Sequence, residues 1–359
     1  MIENARLRII VSKIFASMKT GIPFMILFIG LFMSIVTALS MGSVKIPLKT
    51  VAAIFLGQSQ GGFSDTWPQV YEVILFHLRL PRVLLAGLVG GSLALSGAAL
   101  QGVFRNPMAD PGIIGVSSGG ALGAVIAIYT GIAFTHPFAL PALAFPGATI
   151  AVFLVYGLAS RGGRTPISAV LLSGIAVSSL LTAISSFLLS LSESIFVLRE
   201  MIFWIMGGLD GRGWSHLTIA GVPAVVGSLM ILTFSRDLNI MALEGEEGAM
   251  TLGISVRRVT QILLVLSALV TGAVVSVSGG IGFVGLIVPH AVRLVLGPNH
   301  RILLPASFLG GAIFLIWADL ASRSVFHAEE LRLGIVTAFV GSPFFLFLLQ
   351  RNLRRDSWN

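Results

Sequence analysis

Long apolar runs broken by short polar turns dominate this chain. Runs near 22–41, 83–103, 112–130, 139–158, 168–191, 215–235, 259–278, 281–296, 302–320 and 334–350 each approach the ~20 residues that a bilayer-crossing helix needs. The pattern predicts an all-α, polytopic membrane protein of about ten spans in a single membrane domain. The eighth run is short and implies a tilted or deeper-starting helix. Between the fifth and sixth runs, 195–207 is helical in pattern but carries Arg199 and Glu200. It is too short to cross, and predicts a half-helix at the outer mouth.

The turns are as telling as the runs. Asn106-Pro107 should end one helix, because a proline drives the residue before it out of the α region. Asp110-Pro111 should open the next, as an N-cap carboxylate followed by proline at the first helical position. Gly115, Gly119 and Gly123 then share one helical face and admit a second backbone. Arg6, Arg8, Lys13 and Lys19 precede the first run, which exceeds the roughly 7–15-residue core of a cleaved leader. Residues 1–21 are therefore expected to be a retained cytoplasmic segment. With both termini inside, fifteen of the 23 basic residues face the cytoplasm and eight face out, in line with the positive-inside rule. Gly97-Ala98 and Gly272-Ala273, an odd number of spans apart, give a faint echo of an inverted repeat, a common transporter plan.

Composition narrows the classes. The chain is 55% apolar and 11% charged, against roughly 25% charged in a soluble domain. Its net charge of +8 is scattered, which fits topology anchoring and not nucleic-acid binding. It has no cysteine, which excludes disulfides and thiolate chemistry. All four lysines precede residue 50, so there is no Gly-x-x-x-x-Gly-Lys-Ser/Thr loop for ATP. No cofactor is expected in this chain, and ATP and Mg would be bound by a partner subunit. The span centres carry almost no charge, which argues against an ion-coupled secondary transporter. No His-Glu-x-x-His pattern occurs, and Ser117-Ser118-Gly119, which completes a Gly-x-Ser-x-Gly spacing from Gly115, reads as helix packing and not as the nucleophile of an intramembrane enzyme.

Four polar features remain. The segment 236–258 holds Leu243, Glu244, Gly245, Glu246, Glu247, Ala249 and Gly253. It is either a short helix under the membrane that docks on a partner or an ordinary solvated connector, and Gly248 should soften it. Arg79 and Arg82 before the second span, and Arg323 after the ninth, are interfacial anchors or docking groups; Asp319 and Arg323 also have i,i+4 pair spacing. Asn106, Met108, Thr165 and Ser168 flank the inner mouth, as gate residues or as helix caps. His290 has no second ligand at helical spacing, so no metal site is expected.

Leu78-Arg-Leu-Pro-Arg82, Gln101-Gly-x-x-Arg-Asn-Pro-Met-Ala-Asp-Pro-Gly112, Gly245–Gly253, Gly282–Arg293 and Gly334–Phe345 occur in order. Together they resemble the FecCD-type permease family, the membrane subunits of bacterial type II ABC importers for iron–siderophore, haem or cobalamin. The resemblance runs from about residue 22 to the C-terminus. It implies a non-enzymatic, multi-pass inner-membrane subunit that works as a homodimer with a separate ABC ATPase and a periplasmic or lipid-anchored binding protein. It further implies that 243–253 couples to the ATPase and that Arg79, Arg82 and Arg323 meet the binding protein. Arg332 stands where the family more often has proline and receives no role. An iron chelate, ferric siderophore or haem, is the expected cargo on family base rate, with cobalamin as the alternative.

Overall fold

The computed structural model describes all residues except 1, 43, 61–66, 137, 161–165, 325–329 and 357–359, and among the described residues it contains helices and no strand. The helices are α1 (Ile2–Ser40), α2 (Leu48–Gln60), α3 (Val70–Val103), α4 (Val116–Tyr129), α5 (Ala139–Ala159), α6 (Ile167–Ser190) and α7 (Ile195–Met206). They continue as α8 (Trp214–Thr233), α9 (Ser235–Thr251), α10 (Val256–Ser278), α11 (Val284–Leu296), α12 (His300–Ser322) and α13 (Leu333–Asp356). Each of the ten apolar runs is a helix. Seven are long and apolar enough to cross a membrane, and α4, α11 and α13 contain the shorter apolar ones. The pattern did not foretell α2.

Burial separates hub from rim. The most apolar window of α3 is 83% buried and that of α10 is 72%, against 17% for α1 and 22% for α6. Both hub helices are followed by a short one, α4 and α11. Their packing relies on missing side chains. A Cβ on Gly90 would lie 2.2 Å from the Gly311 carbonyl oxygen of α12, and one on Gly97 would lie 1.9 Å from that of Gly285 in α11. On α4, Gly119 and Gly123 meet the α5 carbonyls of Gly147 and Leu143 in the same way, as their spacing implied.

Two boundaries differ from the pattern. The second span starts at Val70 rather than near 83, so Arg79 and Arg82 lie within the helix and not before it. Pro81 lies within this helix, just after a π-helical turn over Ile74–Arg79. A proline lacks the N–H for the carbonyl four residues back and its ring crowds that carbonyl, and a wider turn relieves both. The indole N–H of Trp214 donates to the Phe76 carbonyl at 2.8 Å in this turn. The second difference is in α9, which breaks at Gly245 (φ 74°, ψ −173°) rather than softening at Gly248.

The turn after α3 goes back into the bundle. Asp110 Oδ1 accepts from the Gly112 N–H at 2.7 Å and caps a single 3-10 turn, Pro111–Ile114. Its Oδ2 lies against Gly285, 2.7 Å from where a Cβ would stand. Gly285 touches Gly97, which is about 9 Å along the helix from the end of α3 at 1.5 Å per residue. Gly115 faces Ser178, about 16 Å into α6 by the same rise. The segment 110–115 is therefore re-entrant.

Gly97→Val is expected to destabilise the bundle by about 3 kcal/mol or more, because neither backbone can withdraw. Size-exclusion profiles and thermal unfolding in detergent check this, with Gly157→Ala, where no atom lies within 4 Å of the added carbon, as the control.

Candidate functional site

Two polar centres occupy opposite ends of the bundle. At one end the π turn aims Arg79 inward. Its guanidinium is 5% exposed and donates to the carbonyls of Leu39 at 2.7 Å and Ser40 at 3.3 Å, and to that of Val44. Arg323, also buried, donates to the Ala38 carbonyl at 2.5 Å. Two cations thus close the C-terminal end of α1, where unpaired carbonyls and the helix dipole favour positive charge. Gly42 sits against both guanidinia, at 3.0 and 3.1 Å from its missing Cβ. Burial pushes the Arg323 pKa down, a shift that Asp319 opposes.

Arg82 lies one turn along from Arg79 and enters an acidic cluster. It pairs with Asp319 at 2.9 Å, Glu330 at 2.8 Å and Asp210 at 3.5 Å. Asp319 is 1% exposed and also faces Arg323 at 3.4 Å, the i,i+4 pair that the spacing suggested. Arg332 pairs with Asp210 at 2.8 Å and lies 3.6 Å over the Phe203 ring of α7. Burial works against the Asp210 charge, yet the Glu330 contact and the Arg82 and Arg332 guanidinia hold its pKa below the ordinary value. Burial and the same Asp210 contact push Glu330 up. Arg79, Arg82 and Arg323 therefore come together, but each guanidinium already has a partner within the chain. Sequence reasoning missed Asp210, Glu330 and Arg332. Only the unusual arginine at 332 hinted at the last of these.

At the opposite end α9 packs Leu238, Met241 and Ala249 into the core and leaves Glu244, Glu246 and Glu247 exposed. Leu243 is 82% exposed, with Met250 and Leu252 also bare. Gly253 (φ 84°) ends the helix, and its N–H bonds the Met250 carbonyl while that of Ile254 bonds Ala249. A side chain at Gly248 would strike the Glu244 Cβ at 2.7 Å. Asn239 Oδ1 accepts from the His300 backbone N–H at 2.8 Å and lies 2.9 Å from its Nδ1, which ties α9 to the start of α12.

Asn106 caps its own turn, accepting from the Met108 N–H at 2.9 Å. It shares a narrow crevice with Asp110, Val170 and Leu171, next to exposed Ser168 at the start of α6. Thr165 lies outside the described residues. Farther in, a cavity of about 500 Å³ is lined by Asp110, Ser178, Ser179, Phe283 and Phe345. His290 stands edge-on to Phe344.

Known proteins share this layout. Residues 27–351 match the FecCD transport family. The cobalamin import system permease BtuC of Halobacterium salinarum is 50% identical over 79% of this chain and 75% of its own. The hemin transport system permease HmuU of Yersinia pestis is 37% identical over 92% of this chain and 97% of its own. A solved structure of a metal-chelate type ABC transporter in an inward-facing conformation superposes with a TM-score of 0.79 at 32% identity, covering 92% of this chain and 99% of that one.

Asp319→Ala would leave Arg82 with only its more exposed partners and Arg323 without its ion-pair partner. A loss of about 3 kcal/mol is expected, because removing one member of a buried ion pair strands the other charge. Thermal unfolding of the detergent-solubilised protein measures it, and Asp319→Asn should cost less.

Proposed function

The chain belongs to the FecCD transport family and is the membrane permease subunit of a type II ABC importer, and from that premise we propose that its cargo is a corrinoid such as cobalamin. The observation that carries this reading is the 50% identity to a cobalamin permease, against 37% to a hemin permease. A ferric chelate or haem is the second reading, favoured by the fuller coverage of the hemin relative, 97% against 75%. We assign the α9 end to the cytoplasm and the Arg82 end to the outside, on the distribution of basic residues.

In this reading two copies enclose the passage and a separate ATPase subunit binds ATP and Mg. The ATPase docks on Leu243–Gly253. Exposed Leu243, Met250 and Leu252 on this acidic segment supply apolar contacts for a partner surface. Outside, a binding protein docks on the charged rim. Arg82 is the docking arginine with Asp210 and Glu330 around it, while Arg79 and Arg323 support it by holding the end of α1. The Asn106–Asp110 turn, Met108 and Ser168 form the inner gate. ATP-driven movement at α9 reaches that gate through the packed ends of α3 and α12, and the spans rock to switch access.

A strain lacking this gene, fed limiting cobalamin, ferric siderophores or haem in turn, tests the cargo. Loss of growth on cobalamin alone, restored by the wild-type gene, is expected; loss on an iron source instead selects the second reading. Leu243→Asp should abolish co-purification of the ATPase subunit while leaving the melting temperature of the permease unchanged.

A further inference from the structure

The half-helix α7 stands between two cavities of about 480 Å³ each. One extends toward α4 and α5 and reaches Trp204, Arg212 and Ser278. The other extends toward Glu330 and α13. Phe203, Asp210 and Arg332 line both, so their contact is the partition. Close backbone contacts hold the C-terminal end of α7, while side chains hold the rest: Met201 is buried and Phe196 packs on Phe134 with ring centroids 5.4 Å apart. A Cβ on Gly279 would meet the Trp204 carbonyl at 2.3 Å, one on Gly207 the Gly280 carbonyl at 2.4 Å, and one on Gly334 the Met206 carbonyl at 2.1 Å. The other end begins at Ile195, 84% exposed. A helix clamped by backbone at its C-terminus and held elsewhere by side-chain packing, with a cavity on each side of Phe203, can swing about that clamp.

Arg332 restrains the swing. It stacks on Phe203 of α7 and pairs with Asp210 in the loop that follows α7, and it comes itself from the segment leading into α13. A guanidinium can do both at once, because it is flat and presents its donors in its own plane. The family's more usual proline could do neither. Asp210 is 40% exposed and shared with Arg82, so an acidic group arriving from outside can compete for either arginine.

We infer that the Arg332–Asp210 pair on the Phe203 ring is a latch that holds α7 over the outer mouth, and that carboxylates of the docked binding protein release it by displacing Asp210 from the arginines. The release step rests on the docking reading above; the latch itself rests on the contacts of this chain.

The chain has no cysteine, so Ser278→Cys provides a single reporter thiol. Ser278 is 1% exposed and lines the cavity beside α7. In the assembled importer in nanodiscs, its reaction with a membrane-impermeant maleimide should be slow. Arg332→Ala, which removes both the ion pair and the ring contact, should raise the rate roughly tenfold. Asp210→Asn, which leaves the ring contact, should raise it less, and the double variant should add little to Arg332→Ala, since the Arg332–Asp210 pair can be lost only once. Arg332→Lys, which keeps the charge and loses the flat stacking, should fall between, and it carries the test if Arg332→Ala does not fold. Binding protein should accelerate labelling of the intact latch and leave Arg332→Ala unchanged. Unchanged rates in Arg332→Lys and Asp210→Asn, with binding protein still associating, overturn the latch. Failure of the binding protein to associate even with the intact chain overturns the docking reading, and the single-variant rates still judge the latch.

Discussion

Backbone-to-backbone contact along α3 is the constraint on which the rest of this structure depends. Lipid supplies no hydrophobic drive between helices, so association rests on close van der Waals packing and on satisfied polar groups. Gly90 and Gly97 let α12 and α11 approach until carbonyls lie where a side chain would be. Gln101 completes the seam. Pro289 cannot donate to the Gly285 carbonyl four residues back, and the Gln101 side-chain amide donates to it instead at 3.2 Å. With α3 locked along its length, Arg79 and Arg82 are fixed at one end and the Asp110 turn at the other.

The two ends use charge differently. At the Arg82 end, cations and carboxylates are paired with one another and with the end of α1, in a network that spans α1, α3, α12 and the loops after α7 and before α13. Such a network can be rearranged by exchanging partners without exposing a bare charge to the bilayer. At the α9 end the acidic side chains point away from the protein and the buried contacts are apolar. That surface leaves its acidic side chains without partners from the rest of the bundle, whereas the Arg82 rim already holds its own.

How much was legible follows from the range of each interaction. Apolar runs and turn residues act locally, so the ten helices, the Asp110 cap and the Gly253 stop could be read directly. The wide turn before Pro81 left no mark in the pattern, because packing decides how a helix passes a proline. Gly248 was expected to soften α9, yet the Glu244 side chain takes the room at 248 and the break falls at Gly245. The partners of Arg82 stand 128, 237 and 248 residues away, beyond any periodicity. The depth of Asp110 was hidden because the turn looks like a surface corner, and only its contact with Gly285 reveals that it is inside.

That contact bears on how the chain is made. Asp110 and Gly285 are separated by about half of the protein, yet each fills the space beside the other. When α3 and α4 first leave the ribosome, the wall that receives the carboxylate has not been synthesised. An unpaired carboxylate is costly in lipid, and its wall is incomplete until α5, α6, α8 and α10 have been inserted and α11 arrives. The turn can seat only then, so this part of the interior is completed late in synthesis.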